Sequence, residues 1–161
     1  MEGNRETVVY VVVGIILAWG LNQGMALALS TDMPVVAVES NSMVPVFYKG
    51  DILVLKGVPA DELKVGDIVV YSVEGRSVPI VHRIVKVNPD GSYQTKGDAN
   101  DGQLQFEYHV DGKTVHGRVV AIIPYLGWVK LGVTEYVLPN LAYVFLAAVL
   151  IAIVYYGRRL V

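Results

Sequence analysis

A serine becomes a nucleophile at neutral pH only when a base takes its proton, so the first question is which hydroxyls and bases this chain can bring together. Ser40-Asn41-Ser42-Met43-Val44-Pro45 directly follows an apolar stretch and ends in proline, which places two hydroxyls at a strand-to-turn junction. His82 lies within Pro79-Ile80-Val81-His82-Arg83-Ile84-Val85. A period of two there puts Ile80, His82 and Ile84 on one face and Val81, Arg83 and Val85 on the other. A carboxylate beside such a histidine would fix its tautomer and stabilise the imidazolium, and Lys96-Gly97-Asp98-Ala99-Asn100-Asp101 offers two in one turn. Each piece also has an ordinary structural reading. A histidine among apolar neighbours is commonly a satisfied core residue, and Gly-Asp-x-Asn is a common turn. His109, in a loop, and His116, opening a strand beside Gly117, read as solvated or structural.

The elements that must position these residues are short. Six β-branched runs punctuated by Gly, Asp and Pro, at residues 34–39, 51–56, 67–73, 79–87, 92–96 and 114–123, predict a mainly β domain built as an antiparallel barrel or folded sheet. Gly50-Asp51 and Gly66-Asp67 each open one of these runs. Asp commonly bonds its own backbone at such turns, so both carboxylates read as structural. Residues 97–112 lose periodicity and read as a long loop, of the kind that often carries function.

Around this domain the chain turns apolar: residues 7–31 and 136–157 carry no charged side chain. Both runs exceed the ~20 residues that a helix rising ~1.5 Å per residue needs to cross a ~30 Å hydrocarbon core, so both are expected to span a bilayer. Arg158 and Arg159, directly after the second run, favour a cytoplasmic tail at residues 158–161. Two spans return residues 1–6 to the same side and leave residues 32–135 on the extracytoplasmic side. Two other arrangements stay open. Ala26-Leu27-Ala28 fits a cleaved signal peptide, although polar Asn22 and Gln23 suit an uncleaved anchor, and Pro139-Asn140 would leave residues 141–156 as a shorter, tilted or interfacial helix.

Several functions are excluded at this point. Residues 32–135 hold 13 acidic and 10 basic side chains without a basic stripe, so nucleic acid is not a partner. The chain has no cysteine, which removes disulfides, thiol catalysis and thiolate metal sites. Neither apolar run contains a histidine, so no serine-histidine pair forms within the bilayer.

The ordered set SNSMVP, GDIVVY, PIVHRIV, TKGDAN and IPYLGW, over residues 35–127 with the N-terminal anchor, resembles the type I signal peptidase family in its archaeal and endoplasmic-reticulum branch. The resemblance implies that Ser42 is the nucleophile, that His82 replaces the lysine base of the bacterial branch, and that Ser40 joins the Ser42 backbone N–H in an oxyanion hole. Lys86 shares the His82 face but lies four residues on, ~13 Å away at ~3.3 Å per residue, and cannot stand in for it. Asp98 matches the family's Gly-Asp-x-Asn aspartate. Many relatives place a second aspartate six residues later, where this chain has Leu104, which leaves Asp98, Asp101 or Glu107 to orient His82, with Asp98 favoured and Asp101 a near-equal alternative. The resemblance further implies a substrate bound as an added strand, with Val36, Val38 and Ile80 lining pockets for small residues at −3 and −1 of a secretory preprotein. It implies the lipid bilayer as a partner and no metal or organic cofactor. Accessory subunits remain open, as do a specialised peptidase maturing a few surface proteins and a non-catalytic anchored β-domain.

Overall fold

The computed structural model describes residues 2–157, so Arg158 and Arg159 of the expected cytoplasmic tail lie outside the described residues. The first uncharged run forms α1, Glu2–Ala28. From Val8 to Leu21 its side chains are apolar all round, and Arg5–Ala28 is long and apolar enough to cross a membrane. The helix stands clear of the sheet, with Val8, Ile16, Leu17 and Trp19 all exposed. Ser30 ends it with a left-handed turn at φ 54°, and Thr31 Oγ1 then donates to His116 O at 2.7 Å, tying the helix end to the sheet.

All six expected strands are present: β1 Val35–Ala37, β2 Ile52–Lys56, β3 Ile68–Tyr71, β4 Ile80–Val87, β5 Tyr93–Lys96 and β6 Val115–Ile123. They pair antiparallel in the order β1-β2-β6-β3-β4-β5. The expected barrel is not closed. Among the described residues β1 and β5 share no ladder, and these two strands, of three and four residues, form the edges of an open sheet. Register shifts at Val54/Leu55, Val70/Tyr71 and Ile84/Lys86 bend and twist that sheet.

The bending creates two cores that share β3. Val70 enters one with Val38, Met43, Phe47, Leu53 and Leu55, while Val69 and Tyr71 enter the other with Leu63, Ile84, Tyr93 and Val110. The unbroken apolar run of β3 is therefore the run of a strand covered on both faces.

Beyond β6 come α2, Trp128–Leu131, a π-helical turn over Gly132–Val137, a 3-10 turn over Leu138–Asn140, and α3, Leu141–Gly157. Pro139 has no N–H to offer the preceding turn and lies near the start of the tighter 3-10 turn, while Asn140 Nδ2 donates to Tyr136 O at 2.9 Å. Helical segments Trp128–Tyr143 and Phe145–Ile151 bend by 56° relative to each other. Alone, the 17 residues of α3 reach about 25 Å, short of a ~30 Å core. The base of this arm is fixed to the sheet. Gly127 N donates to Gly50 O at 2.8 Å, Lys130 pairs with Glu39 at 3.1 Å, and Lys49 pairs with Glu135 at 2.9 Å.

Both Gly-Asp turns are structural in geometry. Gly50 and Gly66 adopt φ 94° and 98°. Buried Asp51 accepts from Tyr48 N at 2.9 Å and Tyr125 N at 3.0 Å, whereas the more open Asp67 accepts from Lys64 N at 3.0 Å and Arg118 Nη1 at 3.2 Å. Asp51→Ala leaves two part-buried donors without their acceptor and is expected to cost about 1–3 kcal/mol in chemical denaturation of the detergent-solubilised chain. Asp67→Ala, whose partners can turn to water, is expected to cost about 1 kcal/mol or less.

Candidate active site

The chain leaves β1 at Ala37, and buried Val38 is held on both sides, its N–H donating to Asp51 O and its carbonyl accepting from Gly50 N, each at 2.9 Å. The turn that follows is fixed from within by Asn41 Oδ1, which accepts from Lys49 N at 2.8 Å, and from below by Met43, whose side chain fills the first core at 1% exposure. Ser42 stands between them, half-buried. Its Oγ lies 3.0 Å from His82 Nε2 and 3.3 Å from Ser40 Oγ.

His82 occupies the inward face of β4 at 5% exposure, as the alternation required. Its Nδ1 hydrogen-bonds Glu107 Oε1, so each ring nitrogen has one partner. Glu107 has no exposed surface and sits in the 3-10 turn Gln105–Tyr108 of the long loop. Its second oxygen, Oε2, accepts from Leu104 N at 2.6 Å, a backbone bond that holds the carboxylate on its own turn.

The two favoured aspartates are elsewhere. Asp98 takes both donors of the Arg83 fork, Nε at 2.9 Å and Nη2 at 2.6 Å, and that bond holds the guanidinium above its usual pKa range. The physical reason is strand periodicity. Arg83 points to the opposite face of β4 from His82, and Asp98 follows Lys96, the residue that pairs with Arg83, onto that outer side. Asp101 is exposed on the same loop. The expectation that Asp98 or Asp101 meets His82 is thus replaced by Glu107, the third carboxylate that the sequence left open.

The Gly-Asp-x-Asn turn nevertheless closes the site. Ala99 N donates to Ser42 O at 2.8 Å. A Cβ on Gly97 would lie 2.8 Å from both His82 Nε2 and Ser42 O, so only glycine lets this loop approach the pair. Ser42 and His82 open onto a cleft of about 690 Å³. Val36, Val38 and Ile80 line it, together with Ser40, Arg76 and Lys130.

A second serine-histidine-carboxylate contact shows why distances alone do not define such a site. His116 Nε2 is 2.7 Å from Ser72 Oγ, and its Nδ1 is 3.0 Å from Asp32 Oδ1. Here Asp32 is 69% exposed, Ser72 is exposed, and the Ser72 backbone N–H is committed to Thr114 O at 3.0 Å. A carboxylate in water orients and stabilises an imidazolium far less than one shielded from it. His109 is a solvated loop residue, 3.7 Å from Asp90.

With this geometry in hand, the comparison with known proteins is decisive. A Peptidase S24-like family model matches residues 20–120, which hold Ser42, His82 and Glu107. The chain is 37% identical over 134 residues to the signal peptidase complex catalytic subunit SEC11C of Homo sapiens, covering 78% of this chain and 69% of that protein. It is 39% identical over 134 residues to the SEC11 subunit of Chaetomium globosum, covering 76% and 78%, and 39% identical over 124 residues to that of Pyricularia oryzae, covering 71% and 72%.

The chain belongs to the type I signal peptidase family.

For a signal peptidase of this type, the arrangement can support nucleophilic attack by a serine whose proton passes to a histidine held in one tautomer. Phosphonylation of Ser42 by a fluorophosphonate, in which Oγ attacks phosphorus and displaces fluoride, measures that capacity directly. Glu107→Gln is expected to slow it by about 100-fold or more, because the buried charge facing His82 is lost. Asp98→Asn is expected to stay within about threefold, because it breaks only a partly exposed pair on the outer face. Labelling mapped by mass spectrometry is expected on Ser42 and not on Ser72.

Proposed function

We propose that this chain is a membrane-bound serine endopeptidase that removes N-terminal signal peptides from secretory preproteins. The observation that carries the reading is the Ser42 Oγ to His82 Nε2 contact of 3.0 Å, backed by a carboxylate with no exposed surface, in a member of the signal peptidase family. His82 takes the proton of Ser42 as Oγ attacks the scissile carbonyl, and gives it to the amine nitrogen as the C–N bond breaks. Water, deprotonated by the same nitrogen, then hydrolyses the acyl ester and restores Ser42. Glu107 keeps the Nδ1 proton in place, and the Ser40 hydroxyl, beside Ser42, donates to the oxyanion. One such donor is worth roughly 3–4 kcal/mol in the transition state.

The substrate lies along the free edge of β1 as an added strand, with Val36, Val38 and Ile80 meeting small side chains at −3 and −1. Backbone pairing suits this task because preproteins share little sequence near the cut. The α1 helix holds enzyme and substrate in one surface layer and raises their effective concentration. The arm from Trp128 to α3 forms the second membrane segment, residues 1–6 and 158–161 lie on the cytoplasmic side, and the β domain faces outward. The relatives are catalytic subunits of a complex by name, and accessory subunits belong to the proposal for this chain as well.

Cleavage of a preprotein by the purified full chain in nanodiscs tests the chemistry. Ser42→Ala and His82→Ala are each expected to lower the rate by about 10³-fold or more while folding is retained. A Ser42→Ala variant that cuts at the wild-type rate would overturn the reading. Topology has its own test, since the chain contains no cysteine. In sealed cells, Glu74→Cys should react with a membrane-impermeant maleimide, and Glu2→Cys only after permeabilisation.

A further inference from the structure

Glu107 Oε1 has a second neighbour besides His82. Thr95 Oγ1, on β5 and fully buried, lies 3.5 Å from it, and on its far side it is 2.8 Å from Tyr71 Oη at the end of β3. Tyr71 is 1% exposed and packs against Leu63, Ile84, Tyr93 and Val110. The direction of these bonds follows from counting hydrogens. Each hydroxyl has one hydrogen to place, and among the described residues the chain Tyr71, Thr95, Glu107 holds every acceptor that either hydroxyl meets. If Thr95 donated to Tyr71, the phenolic hydrogen would be buried without an acceptor. If Tyr71 donates to Thr95 and Thr95 to Glu107, both hydrogens are placed and both dipoles point their positive ends at the carboxylate.

We infer that Tyr71 and Thr95 are positioning residues for this peptidase, forming a buried donor chain that fixes the Glu107 carboxylate against His82 Nδ1. The inference rests on the serine-histidine reading above. Burial pushes the Tyr71 phenol above its usual range, so it stays protonated and remains a donor. The chain also explains how a glutamate serves on this loop. Oε2 is taken by the Leu104 backbone and Oε1 is shared between His82 and Thr95, so the carboxylate plane is fixed at both oxygens. Gln103 Nε2 donates to Thr95 O at 2.9 Å, which binds the same loop to β5 at the residue that directs the carboxylate.

The test compares Thr95→Val, Thr95→Ser and Tyr71→Phe with wild type, using the full chain in nanodiscs and a synthetic preprotein with alanine at −3 and −1. Ser42→Ala serves as the blank, and thermal melting is followed for each variant. A group that acts on Glu107 matters only as charge develops on His82, so Thr95→Val should lower kcat about tenfold and leave KM within about twofold. Thr95→Ser, which keeps the hydroxyl, should recover most of that loss. Tyr71→Phe should lower kcat about three- to tenfold, again at constant KM. Equal losses in Thr95→Val and Thr95→Ser, a rise in KM in place of a fall in kcat, or wild-type kcat in Tyr71→Phe would each overturn the inference. Should Thr95→Val fail to fold, the Tyr71→Phe and Thr95→Ser results decide it. An active Ser42→Ala blank, by contrast, would strike at the serine-histidine reading itself and not at the donor chain.

Discussion

A carboxylate removed entirely from water must recover its lost hydration from fixed donors, or it will not stay charged. Glu107 is under that constraint, and much of the domain is arranged around meeting it. Its donors come from three places: the Leu104 backbone on the loop, His82 on β4 and Thr95 on β5. Those strands are adjacent, and the register Ile84↔Thr95 with Arg83↔Lys96 holds the two donors on the same side of the hairpin. The position of Glu107 therefore depends on the pairing of that hairpin as well as on its own loop.

Ser42 is held by different means. Met43 sinks into the apolar core directly after Ser42, while the Gly97 turn covers the pair from the other side. The Ser42 hydroxyl therefore stands on a short turn between a hydrophobic anchor and a backbone clasp. Lys49 and Glu39, at either end of this turn, are paired with Glu135 and Lys130 of the C-terminal arm. The two electrostatic ties and the buried methionine act on one stretch of about ten residues, so precision there does not rest on any single contact.

Much of this was legible in the sequence, and the reasons differ by element. The strands could be read because β-branched runs bounded by Gly-Asp turns are a local signal, and each observed strand falls within its expected run. Ser42 and His82 stood out as candidates by their places at a strand end and on a strand face, and only the family resemblance gave them roles. The carboxylate that meets His82 was left open among three, because residues 97–112 carry no periodicity and their path is set by long-range packing. Arg83 was the available clue. Lying next to His82, it must face outward, and an outward arginine takes a nearby carboxylate with it, as it does Asp98. Tyr71 and Thr95 went unread for another reason. They sit inside GDIVVY and TKGDAN, where one looks like core and the other like an ordinary strand residue, and only the fold brings their hydroxyls to 2.8 Å. Of the two forms expected, barrel or folded sheet, the sheet is the open one, a choice that strand count could not make because it says nothing about whether the edges meet.

The shortness of β1 has a consequence for turnover. An edge of three residues offers a docking peptide only a few backbone bonds, too few to template the strand of another copy and too few to retain a product. Under the proposed mechanism the amine fragment leaves as the acyl ester forms and the acyl fragment when that ester is hydrolysed, and so short an edge holds each by only a few backbone bonds.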